Sequence, residues 1–222
     1  MKKDGYQLKK ESKAFDNLIN QFIKVALYCT FPPVILVITV TIALTFVNSR
    51  TTSNIYAIVL LQQSLPIILS YGLFPLVIYS KLEKQKPKSI GLKKNKHFLI
   101  TILNIFAVII FMSYLFYKGI HQKNVFVYVI HYFFVALVEE ILVRGIIYFQ
   151  LFKLTNKKWL SVLICAFIFA LVFHSTDGIW INIIYRVPFS IITSLLYLKT
   201  ESLMTSVNFH WMYNVILTIK YI

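Results

Sequence analysis

Acidic charge is scarce in this chain: only 8 Asp and Glu stand among 222 residues, against 23 Lys and Arg. Charge of either sign is thin as well, at 14% of the residues where soluble domains carry about 25%. With 58% hydrophobic residues beside it, that shortage excludes a water-soluble globular domain. Glycine and proline number 6 each, too few for a disordered, collagen-like or low-complexity polypeptide. There are 2 cysteines, Cys29 and Cys165, both inside apolar runs, and no CxxC or Cys/His ligand spacing exists. Neither a disulfide framework nor a structural zinc site is therefore expected. The first apolar run, residues 21–47, is longer than the about 7 to 15 residues of a signal-peptide core, and no small-residue cleavage site follows it. It reads as a retained membrane span.

What is present is a succession of apolar runs. A bilayer core about 30 Å thick needs roughly 20 apolar residues per helix. Seven stretches qualify, at about 21–47, 55–80, 98–117, 125–152, 159–174, 179–198 and 202–221, the fifth being the shortest. Lysine-rich or turn-forming segments separate them, and no internal repeat is visible. The expected fold is an all-α polytopic membrane protein, a bundle of about seven transmembrane helices. Of the 23 basic residues, 17 fall on the side that holds the N-terminus, so the N-terminus is expected to be cytoplasmic. The net charge of +15 is thus a topology device with attraction to anionic lipid, and no nucleic-acid partner is expected.

Span four keeps three charges that the bilayer would expel at a cost of at least about 2.5 to 3.5 kcal/mol each, which marks them as functional candidates. They are Glu139, Glu140 and Arg144. Glu140 and Arg144 stand at i and i+4 on one helical face and are placed to form an ion pair, whereas Glu139 points elsewhere. The bland alternative is a buried structural network that locks this span to its neighbours. His174 ends span five; His210 and Asn214, four residues apart, share a face of span seven.

At about 1.5 Å per residue from the cytoplasmic side, Glu139 lies ~21 Å deep, His174 ~24 Å, His210 ~14 Å, Asn214 ~20 Å and Arg186 ~20 Å. Four successive spans thus bring polar groups to one layer near the membrane's middle. A carboxylate, two imidazoles and an amide suffice for hydrolysis in either of two ways. Glu and His can bind a divalent metal such as zinc that activates its water. Alternatively, Glu activates water directly while His and Asn hold the oxyanion. Arg186, in the same layer, binds a substrate carbonyl or carboxylate or neutralises the second glutamate, the latter being the expectation. His97, His121 and His131 lie at span ends, in a loop or two turns away from Glu139 and are given no catalytic part. HExxH, GxSxG and GxGD, the marks of other intramembrane protease classes, do not occur.

These residues resemble the CPBP family of intramembrane proteases, also called Abi, which comprises CAAX prenyl endopeptidases and bacteriocin-processing enzymes. Its pattern is EExxxR, FxxxH and HxxxN or HxxxD on successive helices. The first is complete at Glu139-Glu140 to Arg144 and the third at His210 to Asn214; in the second, His174 is present but Ala170 replaces the Phe. The resemblance covers residues 125–222 as a four-helix catalytic core and leaves 1–124 as a basic segment with three further spans. It implies that Glu139 activates water, that Glu140 supports it with Arg144, and that His174, His210 and Asn214 bind metal or stabilise the transition state.

The resemblance further implies an endopeptidase of a bacterial plasma membrane, cutting a membrane-associated peptide or protein, in bacteriocin immunity or peptide-signal processing. The competing readings are a non-catalytic immunity or regulatory protein on the same scaffold, and a proton-coupled transporter. A transporter should show inverted repeats or helices broken by Gly or Pro, and the last four spans hold only Gly145 and Pro188.

Overall fold

The computed structural model describes residues 2–46, 54–91, 97–119 and 123–219, with the side chains of 2–11, 82, 87–88, 123–124 and 219 excepted. Arg50 with the rest of its connection, Lys93, Lys94, Lys96, His121 and the residues from Lys220 onward lie outside the described residues. Seven helices occupy the seven apolar runs, and no strand occurs among the described residues. They are α1 (Lys2–Phe46), α2 (Ile55–Lys81), α3 (Phe98–Tyr117), α4 (Val125–Thr155), α5 (Lys158–Phe173), α6 (Ile179–Thr200) and α7 (Leu203–Ile219). Five of them, all but α5 and α7, are long and apolar enough to cross a bilayer. The chain is an all-α polytopic membrane protein.

α1 begins far before the apolar run expected at 21–47. Its 45 residues measure ~68 Å at about 1.5 Å per residue, more than twice a bilayer core. The first turns carry Lys, Gln and Glu, good helix formers that let the helix continue beyond the lipid, and no proline interrupts it before Pro32. α2 alternates between ordinary turns and wider i→i+5 turns at Ile58–Ser64, Ile68–Leu73 and Ile78–Leu82. Pro66 and Pro75 lie between these wide turns. A proline lacks the N–H and crowds the carbonyl four residues back, which a widened turn relieves.

α4 is the central helix. Half of its 18-residue apolar window is buried, against 11% in α3, which therefore lies at the periphery. α7 runs along α4: Trp211 Nε1 donates to the Val129 carbonyl at 2.9 Å, and the rings of Phe111 and Phe133 stand edge-on to the indole. α3 attaches to α7 through Asn208, whose Nδ2 donates to Asn104 Oδ1 at 2.6 Å. α2 approaches α4 closely where Gly72 meets Val138, since a Cβ there would lie 2.7 Å from a Val138 methyl. One turn-pair earlier on α4, His131 Nδ1 meets Ser64 Oγ of α2 at 2.9 Å.

At the end of the bundle opposite the α5–α6 turn, Glu83, just beyond α2, ties α1 to α4. Its carboxylate accepts from Tyr28 of α1 at 2.6 Å, from Gln150 of α4 at 2.7 Å and from Lys24 of α1 at 3.4 Å. The short turn Pro87–Ile90 then dips between helices, and Ile90, with no exposure, rests on Gly145 of α4. Buried residues of residues 1–124 and of 125–222, Tyr28, Tyr71 and Leu142 among them, share one core.

Candidate active site

Glu139 and Glu140 are the last residues of the regular part of α4; from Ile141 to Ile147 the helix takes wide i→i+5 turns. Such turns often accompany functional sites because they re-aim the side chains that follow and free carbonyls for other partners. Here the Val143 carbonyl accepts from the Cys165 thiol of α5 at 3.2 Å. Arg144 still reaches back to Glu140, with Nη1 3.1 Å from Oε1 and neither side chain exposed. That N–H is not aimed at the oxygen, so the contact is an ion pair and not a directed hydrogen bond. The directed bonds leave from Nη2, which donates to Ser190 Oγ at 2.7 Å, to the Ser190 carbonyl at 3.2 Å and to the Thr193 hydroxyl, all on α6. The guanidinium lies 4.8 Å from the centre of the Phe169 ring, a cation–π distance. A charge removed this completely from water is held by Glu140, the two α6 hydroxyls and the Phe169 ring, while Nε and Nη1 make no directed hydrogen bond among the described residues.

His210 of α7 closes the cluster. Its Nδ1 is 2.9 Å from Glu140 Oε1. An ionised carboxylate only accepts, so the hydrogen in that bond belongs to Nδ1 and the ring turns Nε2 toward Glu139. Nε2 and Glu139 Oε2 stand 3.6 Å apart, beyond direct hydrogen bonding and suited to two groups that address one small molecule. Glu139 is 7% exposed where Glu140 is fully enclosed, so of the two neighbours Glu139 is the one with an edge open to water or substrate. Phe189 of α6 covers His210 edge-on at 5.0 Å.

His174 is the residue that stops α5, leaving the helical region at φ −117°, ψ 34°. Its ring lies edge-on to Phe169 at 4.8 Å, and His210 stands on the same Phe169 ring at 5.9 Å, so both imidazoles pack on one aromatic side chain. His174 Nδ1 is 3.8 Å from Asp177 Oδ2 and its carbonyl accepts from Asn182 Nδ2 at 2.9 Å. Its Nε2 is enclosed and has no hydrogen-bond partner among the described residues. Asn214 follows His210 by one turn of α7, half-buried, and its side chain has no partner among the described residues.

Arg186 does not neutralise Glu140, contrary to expectation. It pairs with Asp177 in the α5–α6 turn, a partner nine residues before it, while the counter-charge of Glu140 comes from Arg144 within α4. Asp177 itself, with Phe169, Ser190 and Thr193, was not singled out by sequence reasoning. Ser190 and Thr193 stand at i and i+3, a polar pair on one face of an otherwise apolar helix, and that spacing was a usable signal.

Among the described residues no three His, Cys, Asp or Glu side chains converge on one point. A catalytic zinc takes three protein ligands, and among the described residues Glu139 and His210 Nε2 face each other with no third such side chain at the same point, His210 Nδ1 being taken by Glu140. The donor set does not fit a metal centre in this arrangement.

Residues 121–216 match the family described as type II CAAX prenyl endopeptidase Rce1-like. This is the CAAX protease family that the sequence resembles. The Rce1-like segment runs from the α3–α4 connection through most of α7 and so holds every member of the cluster around Glu139 and His210. The matched family is one of endopeptidases, and the five apolar helices place that likeness in a multi-pass membrane chain. No curated protein and no solved structure matches the chain.

Proposed function

We propose that the chain is an intramembrane endopeptidase that hydrolyses a peptide bond of a membrane-associated peptide or protein, with Glu139 as general base. The observation that carries the reading is the asymmetry of the two glutamates. Glu140 is spent on Arg144 and His210, while Glu139 keeps an open edge and faces His210 Nε2 across 3.6 Å. That arrangement lies inside the Rce1-like segment.

The chemistry follows from the geometry. A water held between Glu139 Oε2 and His210 Nε2 gives a proton to Glu139 as its oxygen attacks the substrate carbonyl carbon. Glu140 orients His210 by accepting its Nδ1–H, and Arg144 holds Glu140 in place. Asn214, one turn further along α7, supplies an amide N–H for the oxyanion that develops on the carbonyl. Glu139 then returns its proton to the departing nitrogen as the C–N bond breaks, which restores the starting carboxylate. The apolar helices around the cluster exclude bulk water, so each of these contacts acts in a medium that strengthens it. The proposed setting is a bacterial plasma membrane with the N-terminus cytoplasmic, in bacteriocin immunity or peptide-signal maturation.

The test is a comparison of wild type with Glu139→Gln, each purified and reconstituted in liposomes with the membrane peptides of the host, and read by mass spectrometry. New termini should arise with wild type alone. Equal products, or equal protection of cells by both forms, would identify a binding scaffold in place of an enzyme.

A further inference from the structure

Asp177 and Arg186 are not among the motif residues that singled out His174, and none of the chemistry above uses them. They sit at one mouth of the bundle, Asp177 in the turn between α5 and α6 and Arg186 two turns into α6, joined by an ion pair. The turn is held by more than that pair. The Asp177 N–H donates to the His174 carbonyl at 3.1 Å, and Asn182 Nδ2, itself buried, donates to the same carbonyl at 2.9 Å. Asp177 Oδ2, the oxygen that meets Arg186, is also the oxygen 3.8 Å from His174 Nδ1.

We infer that Asp177, held by Arg186, is a positioning residue that fixes the tautomer and the ring orientation of His174. This rests on the reading of the cluster as a peptidase site only for its catalytic consequence; the tautomer is argued from the carboxylate that faces Nδ1. A carboxylate bound to a guanidinium stays ionised and can only accept, so the imidazole nitrogen turned toward it has to carry the hydrogen. In the neutral ring the other nitrogen, Nε2, is then an acceptor. Nε2 is the atom that points away from the turn and is enclosed without a partner among the described residues. The separation of 3.8 Å is beyond a direct hydrogen bond, so Asp177 acts on the ring here through its charge, and catalytic contacts of this kind are often long before substrate binds.

With Nδ1–H directed at Asp177, neutral His174 has no N–H to offer an oxyanion, and its part is to accept a hydrogen from a substrate amide, both hydrogens of the attacking water being directed at Glu139 and His210. Oxyanion donation falls to other groups. An imidazole whose second nitrogen is oriented by a carboxylate is the recurring way in which a protein chooses one tautomer, and removing such a partner lowers activity by about 10- to 100-fold.

The experiment reads the tautomer without any substrate. The full chain, labelled with 15N-histidine and reconstituted in lipid, gives ring-nitrogen signals, and His174 is identified by the signals that His174→Gln removes. Protonated Nδ1 with bare Nε2 is expected in wild type. Asp177→Asn, whose amide can donate to Nδ1, should move His174 toward the Nε2–H form, whereas Asp177→Glu should keep the wild-type pattern. Unchanged signals from His131 and His210 show that each variant has kept its fold, and Arg186→Gln, which frees Asp177 while leaving it present, serves as the second variant if Asp177→Asn disturbs them. An Nε2–H signal in wild type, or a His174 pattern indifferent to both Asp177→Asn and Arg186→Gln, overturns the inference. Once a cleaved peptide is in hand, Asp177→Asn should lower kcat by about 10- to 100-fold with KM little changed, and Asp177→Glu should restore most of it. A shifted tautomer in a protein whose Glu139→Gln form behaves as wild type would leave the positioning intact and remove the peptidase reading.

Discussion

At the scale of single residues, Glu139 and Glu140 share a helix turn and differ in what replacing them should do. Glu140 lies between Arg144 and His210 with no exposure, so Glu140→Gln leaves a guanidinium buried without its counter-charge. Breaking one partner of such a pair costs about 3–5 kcal/mol, and the same holds for Arg144→Ala. Thermal unfolding in detergent should therefore place both variants far below wild type, while Glu139→Gln stays near wild type in stability and loses cleavage. Equal destabilisation by all three would make Glu139 part of the scaffold. With Glu139 and His210 as the only facing donors, activity should also survive dialysis against a chelator; a loss that added zinc repairs would return a metal to the mechanism. The Glu140–Arg144 pair was legible in the sequence because it is local, four residues within one helix. The partner of Arg186 was not, because Asp177 belongs to a turn whose path no periodicity specifies, and hydropathy offers Arg186 any acidic group at its depth.

At the scale of elements, the seven helices followed from hydropathy, whereas the wide turns in α2 and α4 left no trace in it, since they change the hydrogen-bond register and not the composition. Their effect is visible in close approaches. Gly72 of α2 faces Val138, the residue before Glu139, and a Cβ there would stand 2.7 Å from the Val138 methyl. Gly72→Ala should force α2 off α4 and cost about 1–3 kcal/mol, as overpacking does. Because Val138 adjoins the general base, cleavage should fall with stability. Gly145→Ala meets Ile90 at 3.0 Å, a milder approach to the end of a short turn, and a smaller loss is expected. Melting curves and cleavage rates for the two variants check the order. Peripheral α3 depends on Asn104 and Asn208. Paired polar residues in membrane bundles contribute about 0.6 kcal/mol, so a double-mutant cycle to alanine should return a coupling near that size.

At the scale of the whole molecule, the arrangement of the helices fixes which end of the bundle meets which compartment. Of the 23 basic residues, 17 fall in segments that the succession of seven apolar runs assigns to the side of the N-terminus. If the positive-inside rule holds, the Asp177 turn faces outward and the Glu83 end faces the cytoplasm. That orientation decides where a substrate reaches Glu139, and it can be read with thiol labelling. Both native cysteines, Cys29 and Cys165, are buried, so the background should be low. Ser175, exposed in the α5–α6 turn, and Lys84, exposed beyond α2, are suitable positions for a new thiol. In intact cells a membrane-impermeant maleimide should label Ser175→Cys and spare Lys84→Cys until the membrane is opened. The reverse pattern would invert the protein, placing His174 and its Asp177–Arg186 brace at the cytoplasmic mouth and assigning the substrate to that side. Labelling of both in intact cells would contradict seven crossings altogether, because an even number of spans separates residues that share a side, and α2 and α5 end here with three helices between the two positions.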